Sequence, residues 1–367
     1  MSGANPVRIG LLIPGSLDRA TGGYLYDRML AEHLRLRGHE VEAVSLPLRS
    51  YRRCLLDNLS SRLFARLRGG GFDLVLQDEL AHPSCLRLNR RLRRAGGPPV
   101  VAIVHLLRVS QRWPAWRRPL YRQVERAYLR SVDGWIVVNA RLRSRVERLA
   151  GAERPAVVAA PAGDHAAGTI AAAEIRARAV EPGPLRILFV GNLSPLKNLH
   201  LVIAALARLG GECAWRLEVI GSLTVDPAYR RSIVRQVARA GLAGQVTLHG
   251  ELPPAEVAAR MARAHVLAMP SAPESWSIAY LEAMSRGLPV IASAASDSAA
   301  MIEAGENGFV VAPGDAAGLA DRLRSLAADR ERLARMGAAA RQWYGRQPTW
   351  AESMERAHRF LAGLGRP

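Results

Sequence analysis

The sequence predicts an α/β protein built from two doubly wound parallel sheets. Short aliphatic runs alternate with amphipathic stretches of roughly 10–15 residues, the pattern of βαβ units. The alternation is interrupted once and then restarts, dividing the chain into two similar halves. A length of 367 residues suits two domains of ordinary size.

Residues 7–13 read as the first strand, stopped by Pro14-Gly15. Residues 24–37 show helical spacing, with Leu25, Met29, Leu30 and Leu34 on one face, and Gly38 ends the helix. Further strands are expected at 41–46, 73–77, 100–105 and 134–138, with arginine-rich helical stretches around them. These form a first domain over 1–165. Residues 166–184 are alanine-rich, close on Glu181-Pro182-Gly183-Pro184 and read as a linker. The second domain, 185–345, holds strands at 185–190, 215–220, 246–249, 266–269, 289–292 and 308–311. Helices fall between them at 199–209, 229–240, 254–264 and 280–286. A last segment, 346–367, contains a helix over 350–364 with Trp350, Met354, Ala357 and Leu361 in apolar register. Sheets of this kind bind ligands at the carboxyl ends of their strands, so two of them facing each other are expected to form a cleft.

The composition is globular, 49% hydrophobic and 23% charged. No apolar run reaches the length needed to cross a bilayer. Residues 1–15 hold one short apolar run without a cleavage site, a strand rather than a signal peptide. Cys54, Cys85 and Cys213 are too few and too scattered for a disulfide framework or a metal site, which points to a reducing, cytoplasmic setting. The net charge of +19 is uneven: 28 basic and 14 acidic residues lie in 1–165, against 23 and 18 in 166–367. Such an excess calls for anionic partners, whether nucleic acid, anionic lipid or a phosphorylated substrate. Fifty of the basic residues are arginine and one, Lys197, is lysine.

Three segments carry candidate chemistry. The first, Pro273-Glu274-Ser275-Trp276-Ser277-Ile278 running on to Glu282 and Ala292, follows a strand and opens a helix. Its two carboxylates are eight residues apart; a helix of that length spans about 12 Å. That exceeds the roughly 5–9.5 Å of a hydrolytic carboxylate pair, so two contacts along one elongated ligand fit better. A helix-capping Glu274 and a solvated Glu282 fit the spacing equally. The second segment, Gly191-Asn192-Leu193-Ser194-Pro195-Leu196-Lys197, follows the first strand of the second domain. It is either a polar loop or a phosphate loop, and the sole lysine of an arginine-rich chain favours a compact, three-donor cation at an anion. The third segment, Gly15 to Gly23, ends in a glycine pair, Gly22-Gly23, at a helix start. Peptide N–H groups there suit an anion, although a tight turn alone would explain the pair. His105 and Asn139 stand at strand ends, and residues 303–315 read as turn chemistry around Asn307-Gly308 and Pro313-Gly314-Asp315.

The stretch from Glu274 through Glu282-Ala283-Met284 to Gly287-Leu288-Pro289-Val290-Ile291-Ala292 resembles the Glu-x7-Glu signature of the family-4 retaining glycosyltransferases of the group 1 type. The resemblance covers nearly the whole chain and is most specific over 185–345. It implies the GT-B fold, two Rossmann-like domains facing across a cleft, with the final helix crossing back to the first domain. It places Glu274 beside the donor sugar and Glu282 on the ribose. It implies that Gly191, Asn192 and Lys197 hold the diphosphate, together with peptide groups at the helix start by Ile278. Gly22 and Gly23 would face the diphosphate and acceptor, and His105 the transferred sugar. Two positions depart from the family pattern: Asn192 carries no charge, and Trp276-Ser277 stands where the family has an aromatic-Gly pair.

The expected activity is therefore retaining, metal-independent transfer of a hexose from a UDP- or GDP-sugar to a lipid or saccharide acceptor, without a cofactor. There is no Asp-x-Asp metal motif, so Lys197, helix N-termini and backbone N–H groups would neutralise the leaving diphosphate. A nucleotide-sugar epimerase and a non-catalytic binder of anionic surfaces or nucleic acid are the alternatives. Nucleic acid is not the expected partner, because no nucleic-acid motif accompanies the arginines. An anionic membrane surface is a second expected partner. In 51–69, Leu55, Leu56, Leu59, Leu63, Phe64 and Leu67 fall at helical spacing among arginines, and 108–130 adds seven arginines with Trp113, Trp116, Tyr121 and Tyr128. Core-facing helices of an arginine-rich domain would show the same pattern.

Overall fold

The computed structural model describes residues 6–19, 21–111, 113–165 and 170–364. Ala20, Arg112 and the start of the expected linker, 166–169, lie outside the described residues. The chain divides into two compact units: 1–161 with 348–367, and 162–347.

The first unit opens with β1 (Arg8–Pro14), α1 (Gly22–Leu36), β2 (Glu40–Leu46), α2 (Tyr51–Asp57), α3 (Ser61–Gly69) and β3 (Leu74–Asp78). It continues with α4 (His82–Arg94), β4 (Val100–Val104), α5 (Arg118–Leu129), β5 (Gly134–Val137), α6 (Ala140–Ala150) and β6 (Ala156–Val158). The second unit holds α7 (Ala172–Val180), β7 (Leu185–Val190), α8 (Leu199–Leu209), β8 (Trp215–Ile220), α9 (Pro227–Arg239), β9 (Val246–Gly250) and α10 (Pro254–Arg263). Then come β10 (Val266–Ala268), α11 (Ile278–Ser285), β11 (Val290–Ser293), β12 (Gly308–Val311), α12 (Ala316–Ala328) and α13 (Arg330–Gly345). The last helix, α14 (Trp350–Leu364), belongs to the first unit.

Each unit has one six-stranded sheet, and the strand pairs are parallel. The orders are β2-β1-β3-β4-β5-β6 and β12-β11-β10-β7-β8-β9. The winding reverses between β1 and β3 in the first sheet and between β7 and β10 in the second. These switch points open a crevice at the carboxyl ends of their strands, where doubly wound sheets take ligands. Central strands β3, β4 and β5 are buried at every position; β4 accordingly reads as an unbroken aliphatic run, while β3 closes on the buried Gln77 and Asp78 and β5 carries the buried Trp135. The two sheets with their flanking helices give the Rossmann-like, doubly wound architecture expected of the sequence.

Several details differ from the sequence reading. The buried face of α1 is Tyr24, Tyr26, Asp27, Leu30, Ala31 and Leu34, whereas Leu25 and Met29 are only half-buried. Tyrosines on the core side rotate the stripe and carry a carboxylate, Asp27, inward. The stretch 51–69 is two helices rather than one. Asn58 is buried and its amide donates to the Leu55 and Pro83 carbonyls, while Ser60 caps α3 by accepting from the Leu63 N–H at 3.1 Å. Inside the segment read as a linker, α7 buries Ile175 and Ala179 and packs on α13. Its Ile175 lies against Gly287, a residue at φ +63° where any side chain would collide with it. In the first unit, α14 buries Trp350, Met354, Ala357 and Leu361 and packs on α1 and β6.

Candidate functional site

In the second unit the switch point gathers the loops after β7 and β10. β7 ends at Val190, and Gly191 and Asn192 follow. The Asn192 carboxamide oxygen accepts the Ser222 N–H at 2.9 Å, and Leu193 N–H donates to the Ser222 carbonyl at 2.9 Å. Asn192 therefore clamps this loop to the one after β8, and only its NH2 end remains to meet a ligand. Gly221 is pressed so closely on Gly191 that a side chain there would overlap the Gly191 carbonyl.

Lys197 ends a one-turn 3-10 helix, Pro195–Lys197, just before α8. Asn198, at φ +57°, reverses the chain into α8 and donates to the Pro270 carbonyl at 2.8 Å. This ties the loop after β7 to the loop after β10. Ala272 N–H donates to the Leu196 carbonyl at 2.9 Å, a second tie. Across this junction the Lys197 ammonium donates to Glu274 Oε2. Both side chains remain partly exposed. The Glu274 backbone is fixed as well, since its carbonyl accepts from Asp297 N–H at 2.8 Å and the Ser296 hydroxyl at 3.0 Å.

Glu274 does not cap the helix that follows: Ser277 is the N-cap and Ile278 the first residue of α11. The path from Glu274 to Glu282 is therefore part loop, part helix, and the helical span reckoned from the sequence covers only its second half. Ser277 is buried, and its side chain makes no capping bond, so peptide N–H groups at this helix start are not taken by it. Glu282 is half-buried, and its Oε1 lies 2.9 Å from His165 Nε2. Gly163 brings that segment onto α11, where an added Cβ would sit 2.9 Å from the Leu281 carbonyl carbon. Neither Ser222 nor His165 was marked by the sequence; both stand in loops without a periodic signal.

In the first unit the switch point joins the start of α1 to the ends of β3 and β4. Gly22 and Gly23 are the first residues of α1, and the N-cap Thr21 makes no side-chain cap bond. A Cβ on Gly23 would lie 3.3 Å from the His105 ring. His105 follows β4 and is 16% exposed. Its Nε2 is 3.1 Å from Asp27 Oδ1 and 3.9 Å from Asp78 Oδ2, and Tyr26 packs edge-on to it at 5.0 Å. The structure thus unites Gly23 with His105 and adds Asp27 and Asp78. Asn139 is the N-cap of α6, accepting from Leu142 N–H at 2.7 Å. Residues 303–315 are turn chemistry: Asn307 is buried and accepts from Glu303 N–H at 2.9 Å, and Asp315 caps α12.

Elsewhere in the first unit, His33, Glu355 and His358 bring ligand atoms within 4.8 Å. Arg37, 2.7 Å from the same Glu355 oxygen, already supplies a cation there. Among the described residues no helix is long and apolar enough to cross a membrane.

Residues 172–343 match the family model of the glycosyl transferases group 1. The chain is 27% identical over 230 residues to a D-inositol 3-phosphate glycosyltransferase of Nocardia farcinica, covering 60% of this chain and 51% of that protein. It is 28% identical over 253 residues to a glycogen synthase of Mycobacterium tuberculosis, covering 66% of this chain and 58% of that one. The matches thus span little more than half the length of these relatives. In fold, a sucrose-phosphate synthase from Thermosynechococcus elongatus superposes with a TM-score of 0.82 at 21% identity, over 98% of this chain and 99% of that one. Anabaena HepE, solved with UDP-glucose, superposes with a TM-score of 0.77 at 19% identity, over 97% and 100%. These likenesses give the architecture, the GT-B type expected of the sequence. The matched segment runs from α7 to α13 and takes in the Lys197, Glu274 and Glu282 loops, so the likeness to the glycosyl transferases group 1 lies in the second unit, over a little under half of the chain.

Proposed function

We propose that this chain is a retaining glycosyltransferase that uses a nucleotide-diphospho-sugar, with the donor held at the switch point of the second unit. The observation that carries the reading is the Lys197–Glu274 ion pair, built where the loops after β7 and β10 meet, inside the segment that matches the family. A cation and a carboxylate at one point suit the two ends of such a donor, phosphate and sugar hydroxyls. Lys197 takes the diphosphate, with the Asn192 NH2 and the peptide N–H of Ile278 as further donors; the Gly191 N–H is spent on the Ile220 carbonyl at 2.8 Å, so Gly191 serves there only by its lack of a side chain. Glu274 accepts from hydroxyls of the sugar, and Glu282 from the ribose.

In the reaction the bond from the anomeric carbon to the leaving phosphate oxygen breaks. The bond to the acceptor oxygen forms on the same face, and the acceptor proton passes to the leaving diphosphate. Lys197 and the peptide N–H groups stabilise the charge that builds on that phosphate, so no metal is required. A hexose on UDP is the favoured donor, because HepE was solved with UDP and with UDP-glucose. A GDP-sugar is the second choice. The first unit, with Gly22, Gly23 and His105, recognises a lipid or saccharide acceptor.

The experiment is a panel of radiolabelled UDP- and GDP-sugars offered with lipid and saccharide acceptors, in EDTA. Transfer with the anomeric configuration kept is expected. Sugar interconversion without transfer would favour an epimerase. No turnover and no binding of any nucleotide diphosphate would leave an anionic-surface binder as the better reading.

A further inference from the structure

His105 is held by two carboxyls that the glycosyl-transfer scheme above does not use. Asp27 comes from the core face of α1 and Asp78 from the end of β3, and both are fully buried. Asp27 Oδ1 lies 3.1 Å from His105 Nε2, and Asp78 Oδ2 is 3.9 Å from the same nitrogen. One Asp78 oxygen, Oδ1, accepts the Leu80 N–H at 2.6 Å. The remaining oxygens, Asp27 Oδ2 and Asp78 Oδ2, are buried and take no N–H or O–H donor from the described residues.

Two buried carboxylates side by side cannot both stay charged without a large cost. Burial pushes Asp27 up to about 7 and Asp78 well above the usual carboxylate range, and the two carboxyls lie within hydrogen-bonding reach of each other. One proton between them removes the repulsion and supplies a donor to the otherwise unpartnered oxygens. The other charged or titratable groups around the pair are Arg28 and Tyr26 beside Asp27, Tyr24 against both carboxyls, and Glu79 and Tyr128 beside Asp78. None of them gives either carboxyl a donor.

We propose that Asp27 and Asp78 are positioning residues that share one proton and fix His105 as the Nε2–H tautomer, leaving Nδ1 as a hydrogen-bond acceptor for a substrate hydroxyl. Asp27, the charged member, accepts the Nε2 proton; Asp78 donates its own proton to Asp27. The ring is fixed in orientation as well, between the edge contact with Tyr26 and the bare Cα of Gly23. Since the hydroxyl is that of a glycosyl-transfer substrate, this step rests on the proposed function, but the tautomer itself does not.

The test is the nitrogen-15 NMR of His105 in the ligand-free protein at neutral pH, which reads the tautomer whether or not the chain transfers sugar. Wild type should carry its proton on Nε2. In Asp27→Asn the carboxamide donates to Nε2, and the proton should move to Nδ1. In Asp78→Asn the carboxamide stands in for the shared proton, and the wild-type tautomer should persist. Turnover, if the donor panel gives any, should fall in kcat in Asp27→Asn by up to about 10⁴-fold, the order seen when a catalytic histidine is held in the wrong tautomer. The loss in Asp78→Asn should be smaller by at least tenfold. An Nδ1–H ring in the wild type overturns the proposal, as does the same tautomer in both variants. Stoichiometric uptake of Mn2+ or Zn2+ that Asp27→Asn abolishes would also overturn it, by putting a cation where the proton is placed. A correct tautomer without sugar transfer would sink the proposed function and leave this inference standing.

Discussion

Lys197 donates to Glu274 across the junction of two loops that are 77 residues apart in the chain. The pair holds Lys197 at the switch point rather than leaving it to roam a solvated loop. A diphosphate arriving there replaces one carboxylate by a more highly charged anion. If Lys197 holds it, Lys197→Ala should cut transfer by about 100-fold, the typical loss for one contact to developing charge. The thermal midpoint should hardly move, because no core contact is removed. Near-normal turnover would reject the assignment. Lys197→Arg is a sharper probe: the planar fork cannot reproduce a point contact on both Glu274 and phosphate, so it should not restore wild-type kcat.

The two carboxylates should separate by ligand. If Glu282 holds the ribose, Glu282→Ala should weaken binding of UDP itself by roughly tenfold to a hundredfold, the range for hydrogen bonds to a charged group. If Glu274 meets the sugar, Glu274→Ala should leave UDP binding close to wild type and reduce turnover instead. Isothermal calorimetry with UDP measures both. Equal losses of affinity would contradict the division. His165→Ala adds a control: it frees Glu282 from its 2.9 Å partner and should alter UDP affinity without touching the sugar contact.

The doubly wound sheets were legible because strands such as β4 are short aliphatic runs between amphipathic stretches, and β7, α8, β8 and β12 fall at the residues that periodicity marks. Lys197, Glu274 and Glu282 were singled out by the family resemblance, since spacing alone fits a helix cap and a solvated acid equally; that Lys197 and Glu274 meet was visible only in the structure. Asp27 and Asp78 were not singled out, because a single acid inside a helical pattern or after a strand looks like any solvated acid. Only the rotation of α1 that buries Tyr24 and Tyr26 turns Asp27 inward. Likewise α7 was read as linker because an alanine-rich helix has little amphipathic contrast, and its burial rests on two residues, Ile175 and Ala179.

Gly221 tests the packing beneath the donor loop. It sits at φ +139° with its Cα against the Gly191 carbonyl. Gly221→Ala strains the backbone and drives a methyl into that carbonyl. The expected cost is about 1–3 kcal/mol, as for other residues forced into sparsely populated backbone conformations. Displacement of the Gly191–Asn192 loop should lower UDP affinity in step. A variant with unchanged denaturant midpoint and UDP affinity would show that the two loops are not held as described.

Glu125 sets a pH dependence on the first unit. Its carboxyl is buried, and it accepts from Arg108 N–H at 2.6 Å and Val109 N–H at 3.1 Å. Burial outweighs these bonds and pushes Glu125 up to about 7. A raised carboxyl holds its proton in the folded state after the unfolded chain has lost it. Its contribution to stability is therefore full below about pH 4 and is lost as pH rises through about 7. Urea unfolding of wild type and Glu125→Gln at pH 5 and pH 8 isolates it. The difference between the two pH values should be smaller in the variant, and an unchanged difference would remove Glu125 as the source.

The last prediction concerns an anionic membrane surface. Of the aromatics expected there, Tyr121 and Tyr128 are buried, and Trp113 is stacked at 4.5 Å on Arg108, whose guanidinium also lies on Tyr51 and Tyr121. Trp116 alone of the four is strongly exposed, at 67%. Of the leucines in 51–69, Leu67 points into the core, while Leu56 and Leu59 stand 65% and 67% exposed. α2 has no buried residue at all and carries Arg52 and Arg53 outward. Exposed leucines beside exposed arginines suit a headgroup layer, each basic residue near the surface contributing about 1 kcal/mol. Co-sedimentation should show binding to vesicles rich in phosphatidylglycerol but not to phosphatidylcholine, weakening as salt shortens the screening length. Leu56→Ser with Leu59→Ser should reduce binding while leaving UDP affinity intact, since these residues lie in the first unit and the donor residues in the second. Protein that stays in the supernatant with anionic vesicles at low salt would make a soluble acceptor the better choice.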